Sequence, residues 1–340
     1  MGKEKGIRSR STNNLKAHFS RDIAFYAALM IVAFIKRLWQ LGERTVHYDE
    51  CIHFGCGWNI FGNPFGWCYD PWVHGPFQFI GTGIFYDIFG QSEFTARLLP
   101  ALFGTAIIIL PYFLRRQLGR WGALATSVIL AFSPLLMYYS RYARGDIYHA
   151  FFTLLIVVCI WNYISDRRQR WLYVGAAALS FDFCNLETTY INLAIILFFL
   201  IILVAISMLK NLILMADKKA RLDRIYDRLR DGSALKTLIS GQDWVFRFKR
   251  LLKRLKSLSP RAEVLLLLIT LVLPLFASFI NLFRGENIIS NLSNPWAITL
   301  VVLFFVVSVA VGFMWDLKRW FISAAIFWGI FIAVWSVFFT

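Results

Sequence analysis

Charge is scarce in this sequence, and acid is scarcer than base: 20 Asp and Glu stand against 36 Lys and Arg in 340 residues. With 33 Phe, 13 Trp and a 58% hydrophobic composition, this excludes a soluble domain, whose interior could not hide so much apolar side chain. Cysteine is sparse too. Cys51, Cys56, Cys68, Cys159 and Cys184 form no CxxC or CxxCH pattern, so zinc and haem readings have no support. The first apolar run carries no small-residue cleavage site and reads as a retained signal-anchor. No internal repeat recurs, and the paired broken helices of an inverted-repeat transporter are missing.

What the chain does have is a series of apolar runs. A bilayer span needs ~20 mainly apolar residues. Runs at 22–41, 96–114, 120–139, 146–164, 171–186, 189–209, 263–283, 296–315 and 320–339 give nine candidates and an all-α polytopic membrane protein. The fifth is short, carries Asp182, and forms a bent hairpin with the sixth in one reading. The net charge of +16 sits between these runs, where basic residues set orientation, so a nucleic-acid partner is not expected.

By the positive-inside rule residues 1–21 are cytoplasmic, and alternation places "RRQLGR" (115–120), "DRRQR" (166–170) and "DLKR" (316–319) on the same side. So does region 210–262, with fifteen Lys or Arg against five Asp. It reads equally as amphipathic helices on the anionic leaflet, through Leu222, Ile225 and Leu229, or as a solvated basic loop. The expected layout is a basic N-terminus (1–21), a transmembrane core (22–209) with an external loop (43–95), the basic region (210–262), and C-terminal transmembrane helices (263–340). Within the loop, "HGPFQFIGTGIFYDIFG" (74–90) is too short to span and predicts an interfacial helix.

The external side collects the ionisable residues. In "HYDECIHFGCGW" a helix would put Asp49 and His53 at i,i+4 and Glu50 and His53 at i,i+3. An ordinary polar loop reads the same letters. "YYSRYARGDIYHAFF" places Arg141, Arg144 and Asp146 where one span ends and the next begins, as a functional cluster, a local ion pair or interfacial anchors. "PWVHGPFQF" adds His74, as ligand or as cap of a Pro71–Pro76 turn. Asp182, Asn185 and Glu187 interrupt apolar sequence, and charge in lipid is costly, so they face a protein interior or wet cavity. Carboxylates can take a proton from an acceptor hydroxyl or hold a divalent cation. Arginines can hold phosphate, and an apolar groove can hold an isoprenoid tail. Displacement of a lipid phosphate from a sugar fits that set.

"HYDECIH", "HGPFQF", "ARLLPALFGT" (96–105) and "SPLLMYYSRYARGD" (133–146), in this order over residues 22–190, resemble the GT-C membrane glycosyltransferases. The resemblance is to the protein O-mannosyltransferase-like superfamily, and within it to the flippase-activity-associated protein group. It implies a GT-C-like bundle, a polyprenyl-phosphate sugar donor and inverting transfer at the outer face of the cytoplasmic membrane. It implies Asp49, Glu50 and Asp146 as catalytic, with Asp49 as base and, with Asp146, as contacts for Mg or Mn. Arg97, Arg141 and Arg144 would be phosphate or structural partners, and with His53, His74 and Glu187 would make the donor-binding set. Relatives often carry Lys before the residue matching Glu187, where this chain has Leu186.

Two function classes follow. One is a glycosyltransferase acting on a lipid, glycan or protein. The other, motivated by Leu186 and by a chain that stops near the ninth span, is a non-catalytic GT-C-like subunit scaffolding a larger membrane complex. Cys51, Cys56 and Cys68 share an oxidising-side loop and are read as one disulfide or as free thiols. "NLS" (291–293) is a glycosylation acceptor pattern.

Overall fold

The computed structural model describes residues 21–62, 74–226, 258–277 and 295–336, and among them there is no strand. The protein is an all-α polytopic membrane protein. Helix α1 covers 21–38, followed by α2 (Tyr48–Gly62), α3 (Phe77–Phe89) and α4 (Glu93–Ala106). A 3-10 turn joins α4 to α5 (Leu110–Phe113). Then come α6 (Arg115–Phe132), α7 (Pro134–Tyr139), α8 (Asp146–Asp166), α9 (Arg170–Phe183) and α10 (Thr189–Tyr226), and after them α11 (Pro260–Val272) and α12 (Pro295–Ser336).

Each expected apolar run holds helix, with three differences. The run 120–139 is two helices. Pro134 disfavours helical backbone at Ser133, and the Ser133 hydroxyl accepts from the Leu136 N–H to start α7. Gly119, at φ 71°, breaks α6 near its start. The runs 296–315 and 320–339 meet at Asp316, whose backbone leaves helical geometry (φ −153°, ψ 98°) and whose carboxylate caps the Arg319 N–H. Helix α10 passes without a break through the boundary expected at 209, because nothing between Leu209 and Tyr226 punctuates it. The rest of 210–262 up to residue 257, Cys68, Pro71 and the "NLS" pattern lie outside the described residues.

Among the described residues, four stretches, Glu93–Phe113, Asp146–Asp166, Thr189–Asn211 and Ile298–Ser336, are long and apolar enough to cross a membrane. In Thr189–Asn211 only 11% of the apolar window is buried, against 67% in Glu93–Phe113. An apolar helix exposed on nearly every side is untenable in water and is the normal state in lipid.

The chain forms two compact units. One comprises residues 1–162, 177–189 and 328–340. Its centre is aromatic: Phe77, the first residue of α3, meets Phe103, Tyr148, Phe152 and Phe181 edge to face at 5.4–5.8 Å. With Leu102, Ala106 and Phe151, four of these rings line an apolar pocket of about 290 Å³. Helix α3 packs on α2 so closely that a Cβ at Gly57 would lie 2.9 Å from Thr82. Its buried residues are Gln78, Phe79, Thr82 and Gly83, and Ile84, Ile88 and Phe89 stay exposed, as suits an interfacial helix.

The other unit comprises residues 163–176 and 190–327. Ser259 caps α11 with Pro260 at its first position, and Glu263 in that first turn is buried. Glu263 accepts from the Tyr163 hydroxyl at 2.6 Å and pairs with Arg167.

Candidate functional site

The adjacent carboxylates of "HYDE" do form the first turn of a helix, and about 100° of helical rotation sends them to different surroundings. Glu50 is fully buried. Arg97 of α4 grips it with two parallel bonds, Nε to Oε1 at 2.9 Å and Nη2 to Oε2 at 2.8 Å. Arg44 Nη2 and the His47 N–H donate to Oε2, and the Ala143 N–H donates to Oε1 at 3.1 Å. Burial alone would raise the Glu50 pKa. The Arg97 and backbone donors outweigh it and hold it near 2. Arg97, also fully buried, spends Nη1 on the carbonyls of Leu41 and Arg44.

Asp49 faces the other way, its side chain 36% exposed. Its Oδ2 lies 3.1 Å from Arg144 Nη1. Arg144 Nε lies 3.2 Å from Oδ2 of Asp146, the first residue of α8. Two carboxylates from distant segments thus share one guanidinium. The Tyr142 hydroxyl donates to Asp49 Oδ2 at 3.2 Å and sits 2.8 Å from His47 Nδ1. Burial, then the Asp49 charge, pushes this phenol to about 12, so it stays protonated as a donor.

One turn beyond Asp49, His53 is buried against Phe79, the ring centroids 5.4 Å apart. Burial first, then His74 and Arg144, lowers it to about 4, so it is neutral at pH 7. Its ring stacks 6.3 Å from His74, and His74 Nδ1 lies 3.1 Å from Glu187 Oε2. That hydrogen bond lowers the Glu187 pKa. The segments around them are joined by backbone as well, Gly75 N–H to Asn185 O and Phe77 N–H to Cys184 O. Leu186 is buried beside Gly145.

His149 carries no motif and was not among the sequence candidates. One turn along α8 from Asp146, its Nδ1 lies 2.8 Å from the buried Asp182 and its Nε2 3.3 Å from the Thr188 hydroxyl. A buried Asp in an apolar run demands a partner, and that demand was the available clue. The polar groups therefore form a closed circuit of neighbours: Asp49, Arg144, Asp146, His149, Thr188, Glu187, His74, His53 and back along α2.

Arg141 stands apart. Its Nη2 donates to the carbonyls of Trp39 and Gln40 at 2.7 and 3.0 Å. With Leu41, Arg44, Pro134, Met137 and Tyr138 it lines a pocket of about 380 Å³. Arg44 lies over the rings of Tyr138 and Tyr142.

The residues expected to hold Mg or Mn do not fit a divalent cation. Asp49 and Asp146 have a guanidinium between them, and among the described residues no three His, Cys, Asp or Glu side chains group to supply a ligand set. Of the two readings for the loop cysteines, a disulfide or free thiols, Cys51 has the second; Cys68 lies outside the described residues.

A family model described as dolichyl-phosphate-mannose-protein mannosyltransferase matches residues 72–239. The match takes in His74, Arg97, Arg141, Arg144, Asp146 and Glu187, and begins after Asp49 and Glu50. No curated protein matches the chain.

Proposed function

We propose, from the premise that residues 72–239 carry a domain of the dolichyl-phosphate-mannose-protein mannosyltransferase family, a GT-C glycosyltransferase family, that the chain transfers a sugar from a polyprenyl phosphate to an acceptor hydroxyl at the outer membrane face. Asp49 is the base. Arg144 and Arg141 serve the phosphate, and Asp146 positions Arg144. Glu50 and Arg97 hold α2 against α4, while His53 and the His74–Glu187 pair shape the rim.

The supporting observation is the shared guanidinium of Arg144. An arriving lipid phosphate competes with Asp49 and Asp146 for it, and Arg144 turning to the phosphate leaves the Asp49 carboxylate able to accept a proton. The acceptor oxygen then attacks the anomeric carbon from the face opposite the phosphate. The carbon–oxygen bond to phosphate breaks, the acceptor proton goes to Asp49, and polyprenyl phosphate leaves with its charge met by arginine. The 380 Å³ pocket, lined by Arg44 and Arg141 together with Leu41, Pro134 and Met137, suits a phosphate continuing into an apolar chain. Asp49→Asn abolishes transfer from a purified lipid-linked sugar while membrane insertion and folding persist. Unchanged turnover removes Asp49 as the base.

The buried Leu186, where the resemblance implies a Lys, favours a second reading: a non-catalytic GT-C-like subunit of a larger membrane complex. Copurification in fixed stoichiometry with other membrane proteins, without sugar transfer, would establish it.

A further inference from the structure

We infer that His149, held by Asp182, is a hydroxyl-recognising side chain that contacts a sugar at this site, an inference that rests on the sugar-transfer reading above. The Asp182 side chain is 1% exposed. Its Oδ1 lies 2.8 Å from His149 Nδ1, and Thr153 donates to Oδ2 at 3.4 Å. The other ring nitrogen, Nε2, is turned toward the exposed Thr188. A side chain that served only to satisfy a buried carboxylate would need Nδ1 alone.

Outward of Nε2 stands the exposed Thr188 hydroxyl, at a distance of 3.3 Å that is long for a hydroxyl donor. A ligand hydroxyl with a shorter bond takes that place. The neighbouring groups suit a polyhydroxylated ligand: Glu187 follows in the circuit as a second acceptor, and Asp146 lies one turn back along α8. Among the described residues, the ionisable groups around His149 include Asp182, Asp146 with its Arg144, and the Glu187–His74 pair. The hydroxyl recognised belongs to the donor's sugar or to a glycan acceptor.

The experiment uses the full-length protein in detergent and two probes, dolichyl-phosphate mannose and dolichyl phosphate without sugar. The variant is His149→Leu with Asp182→Leu, which removes both partners together and leaves no orphaned buried charge. With a donor hydroxyl as the ligand, affinity for the sugar-bearing lipid falls about tenfold and affinity for the bare lipid holds. With an acceptor hydroxyl, both lipids bind as before and the KM for acceptor rises about tenfold at unchanged kcat. Equal weakening of both lipids means a structural role and overturns the inference, as does a variant indistinguishable from wild type in all three measurements. Thr188→Ala, which leaves the buried pair intact, keeps sugar binding within about twofold, and a tenfold loss there would make Thr188 the contact instead of His149. Asp49→Asn binds donor normally without transferring it, so the two readings fail separately. A wild-type protein that binds neither lipid overturns both.

Discussion

At the residue scale, two neighbours in sequence have opposite fates. Glu50 and Arg97 are a fully buried pair with two parallel bonds, and removing one partner strands the other's charge. Glu50→Gln should cost about 3–5 kcal/mol, seen as a large fall in the thermal midpoint of the detergent-solubilised protein. A similar loss is expected for Arg97→Met. His53 makes a pH prediction of definite sign. The unfolded chain binds a proton near pH 6.5, but folded His53 refuses it until about 4. The unfolded state thus holds more protons in that window, and stability falls as pH drops from 6.5 to 4. His53→Phe, which keeps a ring against Phe79, should flatten the fall by about one proton in the slope of stability against pH.

At the element scale, the helical turn that carries Asp49 and His53 was legible in the letters, as was the meeting of Asp49, Arg144 and Asp146 from two distant segments. Which carboxylate of "DE" would point inward was not. That depends on how α2 is rotated against α4, a tertiary fact set by Arg97 and the Ala143 N–H. Of the two roles the resemblance implies for Arg97, phosphate partner or structural partner, its buried bonds to Glu50 and to the carbonyls of Leu41 and Arg44 favour the structural one. His149 was invisible for a related reason, since its partner Asp182 lies on another helix. The break at Ser133–Pro134, by contrast, follows from local sterics and was readable in principle. The strap that joins α3 to the turn after α9 can be tested directly. A Cβ at Gly75 would lie 2.2 Å from the Cys184 carbonyl oxygen. Gly75→Ala should push the two backbones apart, break the Gly75–Asn185 and Phe77–Cys184 bonds, and separate His74 from Glu187. Faster amide exchange at Gly75→Ala and Phe77, relative to wild type, is the measurement.

At the scale of the whole molecule, the expected orientation sets the basic turns and the polar circuit on opposite sides of the membrane, and one helix tests it. Helix α8 has Asp146 at one end and Asp166, leading into "DRRQR", at the other, roughly 30 Å away for a helix of this length. A protein retaining only the exposed Cys51 should react with an impermeant maleimide from outside intact cells. A cysteine-free protein with Arg168→Cys should react only after the membrane is opened. Reaction of both from one side would refute the orientation. The Glu50–Arg97 clasp has a further consequence, for descent. Either change alone leaves a lone charge in a dry interior, so a lineage cannot wander through these two positions one step at a time. They should be inherited together or exchanged together, and a homologue lacking one should lack the other.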